Sequence, residues 1–147
     1  MITEERVDLW LPRFDDWWRC IPTNGEVRHD GQLVMGAGVA RQAMIRYPTL
    51  PYELGTRVLQ AGNVVHLFPT YGLISFPTKG LTVYKASLEL IEESCQDLAE
   101  FAPILKNKKF VLPRPGCGRG ERTWEEVSPI VYRNLQKVRA EIVVCYI

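Results

Sequence analysis

Ile21-Pro22-Thr23-Asn24-Gly25, followed after a polar stretch by Met35-Gly36-Ala37-Gly38-Val39-Ala40, is the part of the sequence that decides the fold. An apolar run over Trp17–Ile21 ends at Pro22, and a loop begins at Thr23. A Gly-x-Gly turn then opens a helical period, Val39–Tyr47, that stops before Pro48. Glycine lets backbone N–H groups come close to a ligand, and a helix start carries partial positive charge. Two readings follow: a tight strand-to-helix turn, or a cradle for phosphate. It is not a Walker loop, because no Gly-Lys-Ser/Thr follows. It is not a dinucleotide fingerprint either, because Ala40-Arg41 stand where a third glycine would be needed.

A second loop, Pro113-Arg114-Pro115-Gly116-Cys117-Gly118-Arg119-Gly120, follows the short apolar run Phe110–Leu112. Three alternating glycines favour a nest of inward N–H groups that holds an anion, with positive φ expected at Gly118. In a parallel sheet both loops leave carboxyl ends of strands, where such folds bind ligands. Two anion-binding loops on one edge imply a diphosphate.

The rest of the chain fits that frame. Val7–Leu11, Val64–Phe68, Leu73–Phe76 and Ile142–Ile147 complete a set of six strands. Near-continuous apolar runs suit strands covered on both faces. Pro51–Gln60 reads as a short helix. Tyr84, Leu88, Ile91, Cys95 and Leu98 fall on one stripe, so Tyr84–Glu100 reads as an amphipathic helix. Thr123-Trp124-Glu125-Glu126 is a capping box. It opens a last helix carrying Val127, Val131, Leu135 and Val138, with a restart expected at Ser128-Pro129. The fold expected is a three-layer α/β/α domain over residues 1–147, with a mixed, mainly parallel six-stranded sheet.

Composition narrows the functions. The 147 residues are 46% hydrophobic and 24% charged, with a net charge of +1. That gives no broad electrostatic footprint for duplex DNA. The longest apolar runs are about six residues, too short for a membrane span, and Met1–Asp8 is acidic and unlike a signal peptide. Cys20, Cys95, Cys117 and Cys145 are far apart, and with only His29 and His66 they make no zinc pattern. The expectation is a cytoplasmic monomer without metal or cofactor.

Taken in order, Ile21-Pro22-Thr23-Asn24, Met35-Gly36-Ala37-Gly38-Val39-Ala40 and Pro113-Arg114-Pro115-Gly116-Cys117-Gly118 resemble the macrodomains, which bind ADP-ribose. Val7-Asp8-Leu9 sits where that family has Gly-Asp-Ile/Leu. Phe76-Pro77-Thr78-Lys79 and Arg114-x-Gly116-Cys117-Gly118 resemble one branch. It holds the terminal ADP-ribose protein glycohydrolases and the antitoxin macrodomains that remove ADP-ribose from DNA.

The resemblance implies roles for residues that each have a plainer reading. Asp8 would accept from the adenine amino group, helped by the Leu9 N–H; otherwise it is a solvated strand-start residue. Asn24 would bond the distal ribose, and an amide's donor and acceptor suit a diol; otherwise it caps a turn. Gly36, Ala37, Gly38 and Val39, with Pro115, Gly116, Cys117, Gly118, Arg119 and Gly120, would hold the diphosphate. Tyr146 would lie against adenine, or pack at an edge. Cys117 is read as a small residue rather than a nucleophile. Lys79 would be the catalytic group together with Asn24, its amine activated by the cation of Arg119; otherwise it is a surface lysine. Protein-directed members use an aspartate where this chain has Gly120, with Glu121 beside it.

The function implied is hydrolysis of ADP-ribosyl linkages, with ADP-ribose or ADP-ribosylated protein or nucleic acid as partner. A non-catalytic ADP-ribose reader and an ADP-ribose-1''-phosphate phosphatase are the alternatives. Arg28, Arg41, Arg114, Arg119 and Arg122 would supply the basic rim that a nucleic-acid substrate needs.

Overall fold

Short apolar runs become strands here because both of their faces are covered. The computed structural model describes residues 1–147. Its strands are β1 (Ile2–Arg6), β2 (Trp18–Thr23), β3 (His66–Phe68), β4 (Leu73–Pro77), β5 (Lys109–Pro113) and β6 (Glu141–Tyr146). They form one sheet in the order β1-β6-β5-β2-β4-β3. Only β3 runs antiparallel, against β4; the other pairs are parallel.

The helices are α1 (Gly38–Arg46), α2 (Leu50–Ala61), α3 (Leu88–Phe101) and α4 (Trp124–Leu135). Alternate strand residues point to opposite faces. Phe110 and Leu112 join Ile74, Phe76, Ile142 and Val144 under α3 and α4, represented by Ile91, Leu98, Val127 and Val131. Val111 joins Ile21, Leu73 and Val143 under α1 and α2, with Ala43, Leu50 and Leu54. Two cores therefore sandwich the sheet, and each fully buried Leu or Ile contributes about 1.5–3 kcal/mol. This is the three-layer mixed fold expected.

Three expected elements differ. The first strand is Ile2–Arg6, and Val7–Leu11 is a turn after it. Leu9 is buried there because Arg19, itself buried, donates from Nε to the Leu9 carbonyl at 2.9 Å. A buried guanidinium needs acceptors; the Leu11 carbonyl and Asp15 supply the others. The third helix starts after Ser87, whose hydroxyl accepts from the Leu90 N–H. Tyr84 lies before it and is 64% exposed. The last helix runs through Pro129 without a restart and ends at Leu135, short of Val138. Its capping box is present, with Thr123 and Glu126 bonding reciprocally.

The chain leaves β2 for one face of the sheet through α1 and leaves β5 for the other through α4. A crevice forms outside the carboxyl ends of strands where connections diverge in this way.

Candidate functional site

The crevice is a cavity of about 610 Å³. Pro22, Thr23, Thr78 and Pro113 line it from the strand ends. Met35–Ala40 lines one side, and Gly116 with Gly118–Glu121 the other. Asn24, Lys79, Thr82 and Arg114 also face it.

Both walls present backbone donors with no partner in the chain. The first backbone bond into α1 is Arg41 N–H to the Ala37 carbonyl. The N–H groups of Ala37, Gly38, Val39 and Ala40 are therefore the unpaired donors of the helix start, and the Gly36 N–H before them has no partner either. In the facing loop the N–H groups of Gly116, Gly118, Arg119 and Gly120 are likewise unpaired. Opposed sets of amide donors, one on a helix dipole, are the groups that suit an anion, and the cavity is larger than one phosphate.

The second loop is tightly folded. The Gly116 carbonyl accepts from Arg122 N–H at 2.9 Å, and the Gly120 carbonyl accepts from Ala86 N–H at 2.9 Å. Gly116 has φ +74°. A Cβ on Gly120 would lie 2.5 Å from the Gly116 oxygen and 2.8 Å from the Ala86 Cβ. This backbone has no room for an aspartate there. The carboxylate on this rim is Glu121, held at φ +62°. Gly118 has no positive φ and open space around its Cα. The left-handed position expected at Gly118 is at Gly116 instead.

The strand order sets out the edge residues in sequence: Asp8 past β1, Tyr146 on β6, Arg114 past β5, Asn24 past β2 and Lys79 past β4. Strands about 4.8 Å apart spread that row over roughly 19 Å. The cleft occupies the Arg114, Asn24 and Lys79 part of that row.

Comparison with known proteins agrees with this geometry. No protein-family model matches the sequence. The macrodomain of Mycobacterium tuberculosis DarG superposes with a TM-score of 0.80 at 25% identity, covering 99% of this chain and 97% of that one. The macrodomain of Thermus aquaticus DarG gives 0.74 at 25% identity, covering 100% and 98%. The chain has the macrodomain fold. Thermosipho africanus DarTG, solved in complex with ADP-ribose, shares the fold at TM-score 0.79 and 18% identity, covering 98% of this chain and 41% of that one. A Thermus aquaticus DNA ADP-ribosyl glycohydrolase is 28% identical over 114 residues, which is 70% of this chain and 31% of that protein. The chain thus spans about a third of that relative's length.

The cleft gathers Asn24, Lys79, Gly36–Val39, Gly116, Gly118, Arg119 and Gly120. Asp8, Leu9, Pro115, Cys117 and Tyr146 do not line it. Asp8 is exposed and accepts from the Trp10 N–H at 2.9 Å. Tyr146 has the Arg114 guanidinium over its ring at 4.0 Å, so it meets the cleft through Arg114. That guanidinium is held by Glu4, which also accepts from Trp124 Nε1 and the Tyr132 hydroxyl. Arg114 Nε is buried without a partner.

Asn24 uses its amide locally. Nδ2 donates to the Val34 carbonyl at 2.8 Å, and Oδ1 accepts from the Glu26 N–H at 2.9 Å. One amide proton and one lone pair remain. Lys79 Nζ donates to the carbonyls of Thr82, Tyr84 and Arg119 at 3.3–3.4 Å. Three acceptors match the three protons of an ammonium. Arg119 meets Lys79 through its carbonyl, not through the cation expected from sequence. Burial pushes the Cys117 thiol up to about 11, which keeps it protonated and unreactive. His66 is buried, with Nε2 at 3.0 Å from the Gly62 carbonyl.

Three residues that shape the site went unread. Glu26 accepts from the Thr82 N–H and hydroxyl at 3.0 and 2.9 Å, which hold its carboxyl below the ordinary value. Asn63 Nδ2 donates to the Lys79 carbonyl, while its Oδ1 is buried and unpaired. Glu4 orients Arg114. Each is a polar residue with no local motif, and only the fold brings it to its partner. Of the five arginines expected to form a basic rim, Arg28, Arg114 and Arg122 pair with Asp30, Glu4 and Glu126. Arg41 and Arg119 are exposed and pair with no carboxylate.

Proposed function

We propose that this macrodomain binds ADP-ribose across the sheet edge and hydrolyses the linkage between ADP-ribose and DNA. The observation that carries the reading is the pair of opposed, unpaired N–H sets on either side of a cleft that ends at Lys79. The diphosphate lies between them. The adenine lies toward Asp8, Tyr146 and Arg114, and the distal ribose lies toward Asn24 and Lys79. DNA is favoured over protein by the name of the curated relative and by the uncompensated charges of Arg41 and Arg119.

In the reaction, the Lys79 amine attacks C1'' of the distal ribose after losing a proton and releasing one carbonyl. The C1''–base bond breaks and the base takes a proton. Water then adds to C1'', the C1''–Nζ bond breaks, and free ADP-ribose leaves. The amide donors hold the diphosphate throughout, so positioning and fixed dipoles lower the barrier.

A non-catalytic reader is the second reading, favoured by Gly120 and by the three carbonyls that already engage Lys79. The test offers ADP-ribosylated single-stranded DNA, an ADP-ribosylated glutamate peptide and ADP-ribose-1''-phosphate, and follows free ADP-ribose. Release from DNA alone is expected. Release from the phosphate ester alone identifies a phosphatase. Binding without release on all three identifies a reader.

A further inference from the structure

The loop after Lys79 reads Gly80-Leu81-Thr82-Val83-Tyr84-Lys85 and contains no acidic residue. Leu81, Val83 and Tyr84 are 46%, 80% and 64% exposed. Exposed apolar side chains in a loop are ordinarily free to move, yet this loop is fastened at several points. The Glu26 carboxylate holds Thr82 by two bonds. Lys79 Nζ holds the Thr82 and Tyr84 carbonyls. Ser87 N–H donates to the Thr78 carbonyl at 2.8 Å, closing the loop at its base. The result is a fixed apolar lip whose Tyr84 backbone is bonded to the amine where the linkage is proposed to break.

We propose that Val83 and Tyr84, with Leu81, form a stacking platform for a base of single-stranded DNA beside the ADP-ribosylated one. This rests on the hydrolase reading above and names how its substrate's far side is gripped. A planar base suits an aromatic ring flanked by apolar side chains, and such stacking is tolerant of sequence. Lys85, next to Tyr84 in the chain, and Arg119, in the facing loop, are exposed cations without carboxylate partners, available to the strand's phosphates.

The test compares wild type, Tyr84→Ala and Tyr84→Phe. Rapid-mixing fluorescence reads affinity for a labelled, singly ADP-ribosylated oligodeoxynucleotide before turnover. Calorimetry reads affinity for free ADP-ribose. Tyr84→Ala is expected to weaken oligonucleotide binding about tenfold, with free ADP-ribose unchanged, and Tyr84→Phe to bind normally. Added salt is expected to weaken the oligonucleotide more than ADP-ribose. Unchanged oligonucleotide binding in Tyr84→Ala, with ADP-ribose still bound, overturns the platform alone. An equal loss for an ADP-ribosylated peptide shows that the lip serves a protein and overturns the DNA assignment. Wild type that does not bind ADP-ribose fails the functional reading itself and removes the platform with it.

Discussion

Replacing Gly120 by alanine adds one methyl group at the tightest point of the cleft wall. That carbon would sit 2.5 Å from the Gly116 carbonyl oxygen, where ordinary contact begins at 3.4 Å. The loop must open by about 0.9 Å. The oxygen cannot yield freely, because Arg122 N–H holds it at 2.9 Å, and Gly120 is itself tied to Ala86 N–H. The opening therefore overpacks the loop, at about 1–3 kcal/mol, and stretches a hydrogen bond worth about 1 kcal/mol. A loss of about 2–4 kcal/mol is expected, read as a lower midpoint in urea unfolding at unchanged slope. Affinity for ADP-ribose falls with it, since the Gly118, Arg119 and Gly120 donors move together. Gly118→Ala is the control: it has open space and ordinary φ, and its stability stays within about 0.5 kcal/mol. Equal stability and affinity in Gly120→Ala and wild type would refute the close approach at this position. So would a Gly118→Ala variant as unstable as Gly120→Ala.

The other expectations are more direct. Free ADP-ribose binds with micromolar affinity, about 8 kcal/mol, and raises the melting temperature well above the effect of AMP; equal shifts for the two ligands contradict the opposed-donor site. Asp8→Ala costs about 1–3 kcal/mol of ADP-ribose affinity by calorimetry, and unchanged affinity removes Asp8 from the adenine end. Glu5, Glu26, Asp30, Glu92 and Glu126 are all held below their ordinary values by hydrogen bonds, from Arg13, Thr82, Gln32, Arg133 and Thr123 respectively. A carboxyl with a depressed folded value stabilises above its unfolded value and loses that contribution as pH falls through the folded one. Melting temperature is therefore expected to hold from neutral pH to about 4.5 and to fall below it; a flat profile down to pH 3 contradicts these bonds.

The sheet was legible in the sequence wherever a strand is covered on both faces. Leu73–Phe76 and Phe110–Leu112 lie inside the strands observed because continuous apolar runs have little other use. The edge strand Ile2–Arg6 was not legible. It pairs on one side only, with β6, and its polar Thr3-Glu4-Glu5 carries no apolar signal, as edge strands often do not. Val7, Leu9 and Leu11 alternate like a strand, but Arg19 draws that segment into a turn, and no local pattern announces a buried arginine. Tyr84 extends the stripe of α3 on paper, whereas Ser87 caps the helix and frees the tyrosine. Within the site, the two glycine loops were readable because turns and close approaches restrict the residue types allowed. Glu26, Asn63 and Glu4 were not, since each acts through a neighbour distant in sequence. Asn24 shows the intermediate case: its turn-capping bonds were one of two readings, and they coexist with unused amide capacity on a residue that lines the cleft.

Single-turnover release of ADP-ribose from an ADP-ribosylated single-stranded oligonucleotide, by wild type and by Lys79→Ala, tests the central claim most directly. Wild type is expected to release ADP-ribose. Lys79→Ala is expected to lose at least about a hundredfold, roughly 2.7 kcal/mol of barrier, while still binding ADP-ribose. Lys79→Arg does not rescue it, because a guanidinium stays protonated. Full release by Lys79→Ala would contradict the lysine chemistry, and no release by wild type that binds ADP-ribose would make this protein a reader.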